Sequence, residues 1–418
     1  MNASTDKPLL VVGAGIAGVT AALEAAEAGR QVVLVEREPS VGGRVLRAYH
    51  YFPKMCPPAC GMEINTQRLE KNPRVTVKVD TELKAASKGS GGWQVTLATK
   101  PKYVNDRCTA CGECSKVCPA KIANPHNLGI DEVPVIRLAH DAAWPKRFTL
   151  NREACPDGCD ECVKACKYEA IDLAAEGTEE SVDVGAVLLA TGWRPYPLDK
   201  LPEFGAGAIK NVIANVNMER MRAPNGPTGG KIQRPSDGEA PKKIAFVQCA
   251  GSRDVNHLPY CSAICCLASL KQAIYVREQL PECEVTIYYI DRRTPGRNED
   301  VLTKVAAMDG VSLVKGKVGK IEEQEGGNLV LKVEDVESGK LLDAEADLVV
   351  LATGMVPNLS DGDMPLEFKQ DEDGFGLDDL DAGVVVAGVA RRPEDVASSV
   401  RDATGAAAKA IVAAGRGA

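Results

Sequence analysis

Eight cysteines in two short runs are the clearest chemical signal in the sequence. The first run reads CTACGECSKVCP from Cys108 to Pro119, and the second reads CPDGCDECVKAC from Cys155 to Cys166. The first has the Cys-x2-Cys-x2-Cys-x3-Cys-Pro spacing that places thiolates around a [4Fe–4S] cluster. The second has the same pattern with one more residue between its first two cysteines. The spacing therefore predicts two iron–sulfur clusters.

The two runs together have the pattern of a bacterial-type 2[4Fe–4S] ferredoxin, with crossed ligation. Three cysteines of each run bind one cluster, and the fourth, at the start of the following helix, reaches the other cluster. A structural zinc site or disulfides are the alternatives, and eight cysteines in two matching runs disfavour both. The predicted ligand sets are Cys108, Cys111, Cys114 and Cys166 for one cluster, and Cys155, Cys159, Cys162 and Cys118 for the other.

A second signal near the N-terminus is typical of dinucleotide binding. An apolar strand at 9–12 is followed by Gly13-Ala14-Gly15-Ile16-Ala17-Gly18, an alanine-rich helix and a strand that ends at Glu36. Such glycines let backbone N–H groups and the helix N-terminus approach a pyrophosphate, and the acidic residue accepts from ribose hydroxyls. An acid at this place disfavours a ribose 2′-phosphate.

The residues downstream indicate which dinucleotide is bound. Arg37 and then Gly42-Gly43-Arg44 follow Glu36, which is similar to the tail found in FAD-binding flavoproteins with two dinucleotide-binding domains. In that architecture each half crosses between domains at an Ala-Thr-Gly turn. Two apolar strands here end in such turns, GAVLLATGW at 185–193 and DLVVLATGM at 347–355. The sequence thus predicts an FAD site.

The C-terminal part completes the predicted FAD site. Flavoproteins of this kind usually have Gly-Asp after the last strand, with the aspartate on the ribityl chain. This sequence has Gly388-Val389, so that contact is missing or is supplied by Glu394 or Asp395. The helix N-terminus near Val396 is expected to face the flavin pyrimidine. The predicted FAD-binding residues are Gly13, Ala14, Gly15, Ile16, Ala17, Gly18, Glu36, Arg37, Gly42, Gly43, Arg44, Ala190, Thr191, Gly192, Thr353, Gly354, Gly388, Val389, Asp395 and Val396.

The second half contains another strand–helix–strand unit, with strands predicted at 243–248 and 284–291 and a helix at about 263–279. In thioredoxin-reductase-like enzymes such a unit binds NAD(P)H through its own glycine fingerprint, which is absent here. Thiols at a helix N-terminus can hold an anionic cluster, because the helix dipole favours it. We therefore predict a third [4Fe–4S] cluster, with buried or redox-active thiols as the alternative, and no direct oxidation of NAD(P)H. The four cysteines are Cys249, Cys261, Cys265 and Cys266.

Three further cysteines have no cluster spacing. Cys56 and Cys60 are separated by three residues and could be a redox-active pair, contribute cluster ligands or simply pack. Cys283 is isolated and is expected to be inert. We predict no catalytic residue, because the cofactors carry the chemistry.

Composition bounds the remaining possibilities. The chain has 418 residues and a net charge of −8, which argues against nucleic acid as a ligand. It contains no run of about 18 apolar residues, so no membrane span is expected. Iron clusters need thiolates, and a first strand that begins at Pro8 leaves no room for a cleavable signal. A cytoplasmic location is therefore expected.

The predicted fold class is α/β, a thioredoxin-reductase-like flavoprotein with two dinucleotide-binding domains and an inserted ferredoxin module. Residues 222–242 are rich in proline, glycine and charge and are expected to be a mobile linker or an arm over a partner. The predicted parts are 1–100 and 176–221 for the FAD domain, 101–175 for the ferredoxin module, 222–242 for the linker, 243–350 for the second Rossmann-like domain and 351–418 for the last FAD part.

The order of these features resembles the family of heterodisulfide reductase A subunits. The segment VQCAGSR…YCSAICC and the tail GVARRPEDVASSVRDATGAAAKA carry the resemblance. Larger members have further domains, including a C-terminal ferredoxin, whereas this sequence stops after the flavin helix. It therefore looks most like the compact A subunits of the quinone-interacting membrane-bound oxidoreductase complexes of sulfate-reducing bacteria.

That resemblance implies an electron-transfer protein carrying FAD and iron–sulfur clusters. The implied partners are a second flavin/iron–sulfur subunit, a membrane haem subunit that uses menaquinol, and adenylylsulfate reductase as electron acceptor. The protein would associate peripherally with the inner membrane through those partners. The alternatives are the A subunit of a flavin-based electron-bifurcating heterodisulfide reductase complex, a standalone flavin reductase, and a scaffold with degenerate sites.

Overall fold

The computed structural model describes residues 7–52, 54–89 and 91–416. The α-helices are α1 Ile16–Glu27, α2 Pro58–Lys71, α3 Glu113–Lys116, α4 Glu161–Ala165, α5 Asn215–Arg222, α6 Cys265–Gln279, α7 Glu299–Ala306 and α8 Val396–Arg416. The strands are β1 Leu9–Val12, β2 Val32–Val35, β3 Val75–Lys78, β4 Thr81–Gly89, β5 Gly92–Thr99, β6 Lys121–Ala123, β7 Glu132–Pro134, β8 Ile136–Leu138, β9 Phe148–Leu150, β10 Thr178–Val184, β11 Ala186–Leu189, β12 Trp193–Pro195, β13 Val212–Ala214, β14 Lys243–Ala250, β15 Glu284–Tyr289, β16 Val311–Glu323, β17 Leu329–Asp335, β18 Lys340–Ala346, β19 Leu348–Thr353, β20 Met355–Pro357, β21 Lys369–Gln370, β22 Gly376–Leu377 and β23 Val384–Val386.

A parallel sheet with strand order β23-β11-β1-β2-β3 forms the first domain. Its central strands are continuous apolar runs because helices or further strands cover both faces. On one face α1 and α8 pack together through alanines that leave little space between helix and sheet. On the other face lies the antiparallel sheet β10-β5-β4. Segments from both ends of the chain therefore build one domain.

The cysteine-rich unit is inserted between two paired strands. Strand β5 ends and β10 begins at neighbouring positions, with Thr99 opposite Thr178. Residues 100–177 thus leave and re-enter the first domain at one point, which leaves its sheet undisturbed. The inserted unit has two short hairpins, β6-β7 and β8-β9, and a small core of its own that includes Ile136, Phe148 and several cysteines.

The second domain is built on a seven-stranded sheet with order β13-β19-β14-β15-β16-β17-β18. The strands from β13 to β16 are parallel, and β16, β17 and β18 are antiparallel. Two crossover strands, β12 and β20, connect the domains and pair with each other, with Trp193 opposite Pro357. Each crossover follows an Ala-Thr-Gly turn, as the sequence pattern predicts.

The structure differs from the sequence expectation between residues 212 and 242. Strand β13 pairs with β19, so this part of the predicted FAD segment 176–221 belongs to the second sheet. The segment 222–242, expected to be a mobile linker or an arm over a partner, packs against its own chain. Ile232 is buried, and its backbone N–H donates to Gln279 Oε1 at 2.6 Å. Proline and glycine here exclude regular structure without excluding order.

Nothing in the described ranges 7–52, 54–89 and 91–416 amounts to a helix with the length and apolar composition needed to cross a bilayer.

Two glycines in helices test the packing of the first domain. A Cβ at Gly18, in α1, would lie 1.8 Å from the Gly13 carbonyl oxygen, whereas a Cβ at Gly405, on the exposed side of α8, would meet nothing within 4 Å. We expect Gly18→Ala to lower the free energy of unfolding by roughly 2 kcal/mol or more through the backbone clash. Gly405→Ala should raise it by about 0.5–1 kcal/mol through helix propensity. Denaturant unfolding measures both, and equal effects would contradict the packing described.

Candidate functional site

A cavity of about 740 Å³ lies between the two domains. Its walls come from the glycine turn after β1, the end of β2, the first Ala-Thr-Gly turn, and the start of α8. The second domain contributes α5 and the first turns of α6. The predicted FAD-binding residues that line the cavity are Gly13, Gly15, Ile16, Ala17, Glu36, Arg37, Gly43, Arg44, Ala190, Thr191, Gly192, Val389, Asp395 and Val396.

The nucleotide end of the cavity is held by a buried carboxylate. Glu36 accepts from the Ala14 N–H at 2.7 Å and from the Glu38 N–H at 3.0 Å. Burial raises the pKa of Glu36, and these two N–H donors oppose the rise. Each carboxylate oxygen has a second lone pair available for a ribose hydroxyl. The geometry therefore fits the role predicted for Glu36.

The two glycine segments predicted to pass the pyrophosphate touch each other. A Cβ at Gly43 would lie 2.8 Å from the Gly15 Cα, and the Gly42 N–H donates to the Ala14 carbonyl at 2.8 Å. Only glycine leaves this wall open. The neighbouring Arg44 stacks on Trp193 at 4.6 Å and has no ion-pair partner among the described residues. Burial lowers the pKa of Arg44 to about 9, so the site has a buried cation that an anionic ligand would stabilise.

Three orphaned polar atoms belong to residues that line the cavity. They are Thr191 Oγ1, Gln272 Oε1 and Glu394 Oε2, each buried without a hydrogen-bond partner. A buried polar atom without a partner costs roughly 1–3 kcal/mol, so native sites provide one. The glycine wall, the unpaired Arg44 and these atoms together fit a dinucleotide such as FAD.

The structure separates the two candidates for the missing Gly-Asp contact. The Asp395 carboxylate is engaged by the Ser398 N–H at 2.6 Å at the beginning of α8. The Glu394 carboxylate pairs with Arg392 through Oε1 and leaves Oε2 without a partner. Burial raises the pKa of Glu394. Glu394, rather than Asp395, has the free acceptor.

Six predicted residues lie outside the cavity wall. Gly18 and Gly388 pack helices closely, and Gly42 and Ala14 support the wall from behind. Thr353 and Gly354 face the cysteine loop of the second domain, since a Cβ at Gly354 would lie 2.5 Å from Ser252 Oγ. The prediction that the second Ala-Thr-Gly turn lines the FAD site is thus not reproduced, because that turn belongs to the other sheet.

An ion pair in the cavity wall has no counterpart among the sequence predictions. Lys271 Nζ, on α6, lies 2.9 Å from Glu219 Oε1, on α5, and donates to the His50 carbonyl at 2.6 Å. Gln272 Nε2 donates to the same Glu219 oxygen at 2.7 Å. Both charged side chains are about nine-tenths buried. No short-range motif joins residues this far apart, so the sequence carried no signal for the pair.

The first predicted ligand set is brought together in the inserted unit. Cys108, Cys111, Cys114 and Cys166 line one small cavity of about 20 Å³. The Ala110 N–H donates to Cys108 Sγ and the Ala170 N–H to Cys166 Sγ, both at 3.4 Å. Burial raises the pKa of the Cys114 thiol to about 12. Such N–H···S contacts stabilise thiolate ligands and tune cluster potentials.

The second predicted set is less tightly assembled. Cys162 is buried close to Cys155 and Cys159, and these neighbours add to the burial that raises the pKa of its thiol. The additional residue of this run is taken up by a turn in which Gly158 has a φ of 68°. Cys118 packs in the same small core.

The four cysteines of the second domain lie together at the beginning of α6. Cys265 and Cys266 begin the helix, and burial together with Cys249 and Cys261 raises the pKa of Cys265. The Ala263 N–H donates to Cys261 Sγ at 3.4 Å and the Arg293 N–H to Cys266 Sγ at 3.3 Å. The donor set is that of a [4Fe–4S] cluster, in which each iron takes one thiolate.

Single-ion coordination is a different geometry. Within the described part of the chain, no group of three or more His, Cys, Asp or Glu side chains is arranged to hold one metal ion. Cys56 is partly exposed and Cys60 exposed, and neither lines the cavity. Cys283 is buried and its thiol donates to a neighbouring carbonyl.

A buried joint connects the inserted unit to both domains. Arg220, only 1% exposed, donates to Asn127 Oδ1 at 2.8 Å and to the Arg47 carbonyl at 3.2 Å. Beside it His126 and His140 stack at 4.9 Å. Burial lowers the pKa of His126 to about 2 and that of His140 to about 4, with the nearby arginines adding to the effect.

Comparison with known proteins agrees with this architecture. The FAD dependent oxidoreductase family matches residues 8–100. Over 97% of its length the chain superimposes on T. acidophilum thioredoxin reductase, covering 98% of that chain, with a TM-score of 0.51 and 16% identity. Lactococcus lactis thioredoxin reductase, in its FR conformation, gives 0.53 and 12%, covering 98% of this chain and 99% of the other. These likenesses show a thioredoxin-reductase-like α/β fold.

Sequence relatives extend over nearly the whole chain. The A subunit of the H(2):CoB-CoM heterodisulfide,ferredoxin reductase of Methanothermobacter marburgensis is 34% identical over 426 residues, which is 98% of this chain and 64% of the relative. The second of the iron-sulfur A subunits of the CoB--CoM heterodisulfide reductase of Methanopyrus kandleri is 36% identical over 424 residues, again 98% and 64%. The chain therefore spans a little under two thirds of these relatives. Together the matches identify an oxidoreductase of the FAD-dependent kind.

Glu394 and Asp395 allow a matched test of the FAD site. Glu394→Ala removes the unpartnered acceptor, and we expect FAD to bind roughly 10-fold more weakly, as for one lost hydrogen bond to a charged group. Asp395→Asn keeps a side chain that can accept from the Ser398 N–H and should bind FAD as the unmodified chain does. Flavin fluorescence titration of the apoprotein measures both. Weaker binding in Asp395→Asn alone would reverse the assignment.

The stacked histidines predict a pH dependence of stability. An unfolded histidine titrates near 6.5, whereas both folded pKa values lie lower, so below pH 6.5 the unfolded chain binds more protons. Stability should therefore fall as pH drops from about 7 to 5, by up to about 1.4 kcal/mol per pH unit for each histidine. Urea unfolding at several pH values measures the slope. Replacing both, His126→Gln with His140→Gln, should flatten it, and an unchanged slope would contradict the argument.

Proposed function

We propose that this FAD-dependent oxidoreductase, similar to heterodisulfide reductase A subunits over nearly its whole length, moves electrons between a flavin and cysteine-held iron–sulfur clusters. One observation carries the proposal. The first turn of α6 separates the flavin cavity from the four cysteines: Ile264 and Leu267 line the cavity, whereas Cys265 and Cys266 lie with the other thiols. A flavin and a cluster on either side of one helical turn are close enough to exchange electrons.

When bound, FAD would supply the change between two-electron and one-electron transfer, and the clusters would supply one-electron relay. The chain's own residues hold and position these groups. Glu36 would accept from the ribose, Arg44 would pair with the pyrophosphate, and Glu394 would accept from a hydroxyl of the ribityl chain. The donors at Cys261 and Cys266 would tune the cluster beside α6.

Lys271 is placed to manage a proton beside the flavin. Its ammonium lines the cavity, and its contacts with Glu219 Oε1 and the His50 carbonyl leave one of its three protons available. Its partner Glu219 also accepts from the Tyr49 N–H at 3.0 Å, which fixes the carboxylate. A buried cation with an available proton stabilises negative charge that develops nearby.

The finer cofactor assignment is three [4Fe–4S] clusters. The shared cavity of Cys108, Cys111, Cys114 and Cys166 supports crossed ligation, because Cys166 comes from the other run. By the same arrangement Cys118 would join Cys155, Cys159 and Cys162. The inserted unit would then be a bacterial-type ferredoxin module, and Cys249, Cys261, Cys265 and Cys266 would hold the third cluster.

The place of the chain in a larger complex rests on resemblance. The relatives are named as subunits, so we propose that other subunits deliver and remove the electrons. If the chain belongs to a quinone-interacting membrane-bound oxidoreductase, these are a second flavin/iron–sulfur subunit with a membrane haem subunit that uses menaquinol. Adenylylsulfate reductase would then accept the electrons in sulfate reduction, at the cytoplasmic side of the inner membrane.

A second candidate is the A subunit of an electron-bifurcating heterodisulfide reductase complex. The observation that favours it is the 34–36% identity to subunits whose names include CoB-CoM heterodisulfide reductase. Purification of the chain with its native partners discriminates, since a haem-containing membrane subunit supports the first interpretation and heterodisulfide reductase subunits support the second.

The thiols of α6 provide the decisive test. The chain loaded with iron and sulfide should contain about twelve iron atoms, four for each cluster. Replacing Cys265 and Cys266 by alanine should lower the iron content to about eight, because two ligands of one cluster are lost. Cys283→Ala is the matched control, since Cys283 is also a buried thiol of the second domain, and should leave iron unchanged.

Iron analysis and flavin absorbance are measured on the same samples. Equal iron in the double variant and the control would contradict a cluster at α6. Bleaching of the bound flavin by NADH or NADPH, at a rate that the double variant does not change, would favour the standalone flavin reductase instead.

A further inference from the structure

The loop that carries the cysteines of the second domain has an unusual backbone. Cys249, Arg253 and Ala263 have φ values of 57°, 59° and 61°. Residues other than glycine avoid this left-handed region, and they keep it only where the surrounding structure holds them. The contacts of the loop, residues 249–262, therefore show what it is held against.

Part of the loop is bonded to the second crossover strand. Tyr260 Oη donates to the Met355 carbonyl at 2.8 Å, and the Met355 N–H donates to Ser262 Oγ at 3.0 Å. Ser262 Oγ also lies 2.9 Å from Ser252 Oγ, which ties the two ends of the loop together. Both polar backbone groups of Met355, the first residue of β20, are thus bonded to the loop.

Another part of the loop is bonded to the end of the first crossover. Tyr196, directly after β12, has its Oη 2.9 Å from His257 Nδ1. Its ring covers Gly251, where a Cβ would lie 2.7 Å from Tyr196 Cδ1. The Tyr196 N–H donates to the Gly354 carbonyl at 2.9 Å, which links the two crossovers at the same point.

The loop also reaches the first domain beyond the crossovers. The Tyr260 ring meets Phe375 edge to face at 5.0 Å, and Phe375 is buried in the segment between β21 and β22. The loop therefore contacts both connections between the domains and a part of the chain on the flavin side.

We propose that the loop 249–262 is an interdomain clamp, with Tyr196 and Tyr260 as positioning residues that fix the cysteines of α6 relative to the flavin cavity. Two short crossover strands are the natural hinge between two domains, because few residues there absorb a rotation. Bonding the loop to both of them prevents that rotation. This inference rests on the proposed function for its purpose, since electron transfer across α6 needs a constant distance.

The test compares Tyr196→Phe with Tyr260→Phe in one chain against Tyr288→Phe. Each change removes a hydroxyl and keeps the ring, and Tyr288 lies in the same apolar cluster as Tyr196 without a hydrogen bond of its hydroxyl to a described residue. Hydrogen exchange of the full chain should accelerate by roughly 10-fold or more at the amides of Tyr196 and Met355, as for about 1.4 kcal/mol of lost local protection. The amides of β14 should exchange as before.

Three results would each decide the question. Local acceleration confined to the crossovers, with an unchanged melting temperature and a broader interdomain arrangement by small-angle scattering, supports the clamp. Uniform acceleration over both domains, or none at the crossovers, overturns it. If the double variant fails to fold, the single variant His257→Ala removes the partner of Tyr196 from a partly exposed position and should give a smaller acceleration at Tyr196.

Iron analysis keeps the clamp and the proposed function apart. A wild-type chain without iron at Cys249–Cys266 would contradict the proposed function, whereas the clamp is judged from the exchange of the crossover amides alone. A chain with full iron and unaffected crossover amides in the double variant would leave the electron-transfer function standing and reject the clamp.

Discussion

The first turn of α6 is the constraint on which the rest of the structure depends. A helix begins with backbone N–H groups that have no partner within the helix, so negative charge is favoured there. In this chain the turn presents Cys265 and Cys266 to one side and Ile264 and Leu267 to the other, where they line the cavity. One element thus sets both the position of the thiols and the wall of the flavin site, and neither can move without the other.

Buried cations surround that arrangement and explain why it needs anionic cofactors. Arg44 lies in the cavity wall without an ion-pair partner in the described part of the chain, and Arg220 is buried with neutral acceptors from two other segments. Lys271, by contrast, is paired with Glu219. Taking a charge out of water costs several kcal/mol unless it is compensated, so an unpaired guanidinium at a dinucleotide site indicates where the ligand's negative charge lies.

Much of this could be predicted from the sequence, because the informative residues are close together along the chain. Local spacing predicts the strand at 9–12, the glycine turn, Glu36 and the start of the helix near Cys265, and the structure has them as β1, the cavity wall and α6. The pairs Lys271–Glu219 and Arg220–Asn127 could not be predicted, since each joins segments that only the tertiary fold brings together. The expectation that 222–242 is mobile differs from the structure because composition indicates only the lack of regular structure, whereas the buried Ile232 is ordered by packing.

The position of the inserted unit follows from the same logic of fixed distances. Because Thr99 and Thr178 are paired, the unit could be added at one point of the first domain without altering its sheet. A tether at one point would leave its orientation free, but three contacts remove that freedom. Trp144 exchanges hydrogen bonds with Ser40 and Val41, Asn127 is held by Arg220, and Leu128 lines the flavin cavity itself. The unit is therefore oriented against both domains, which a relay of cofactors requires and a flexible attachment would not supply.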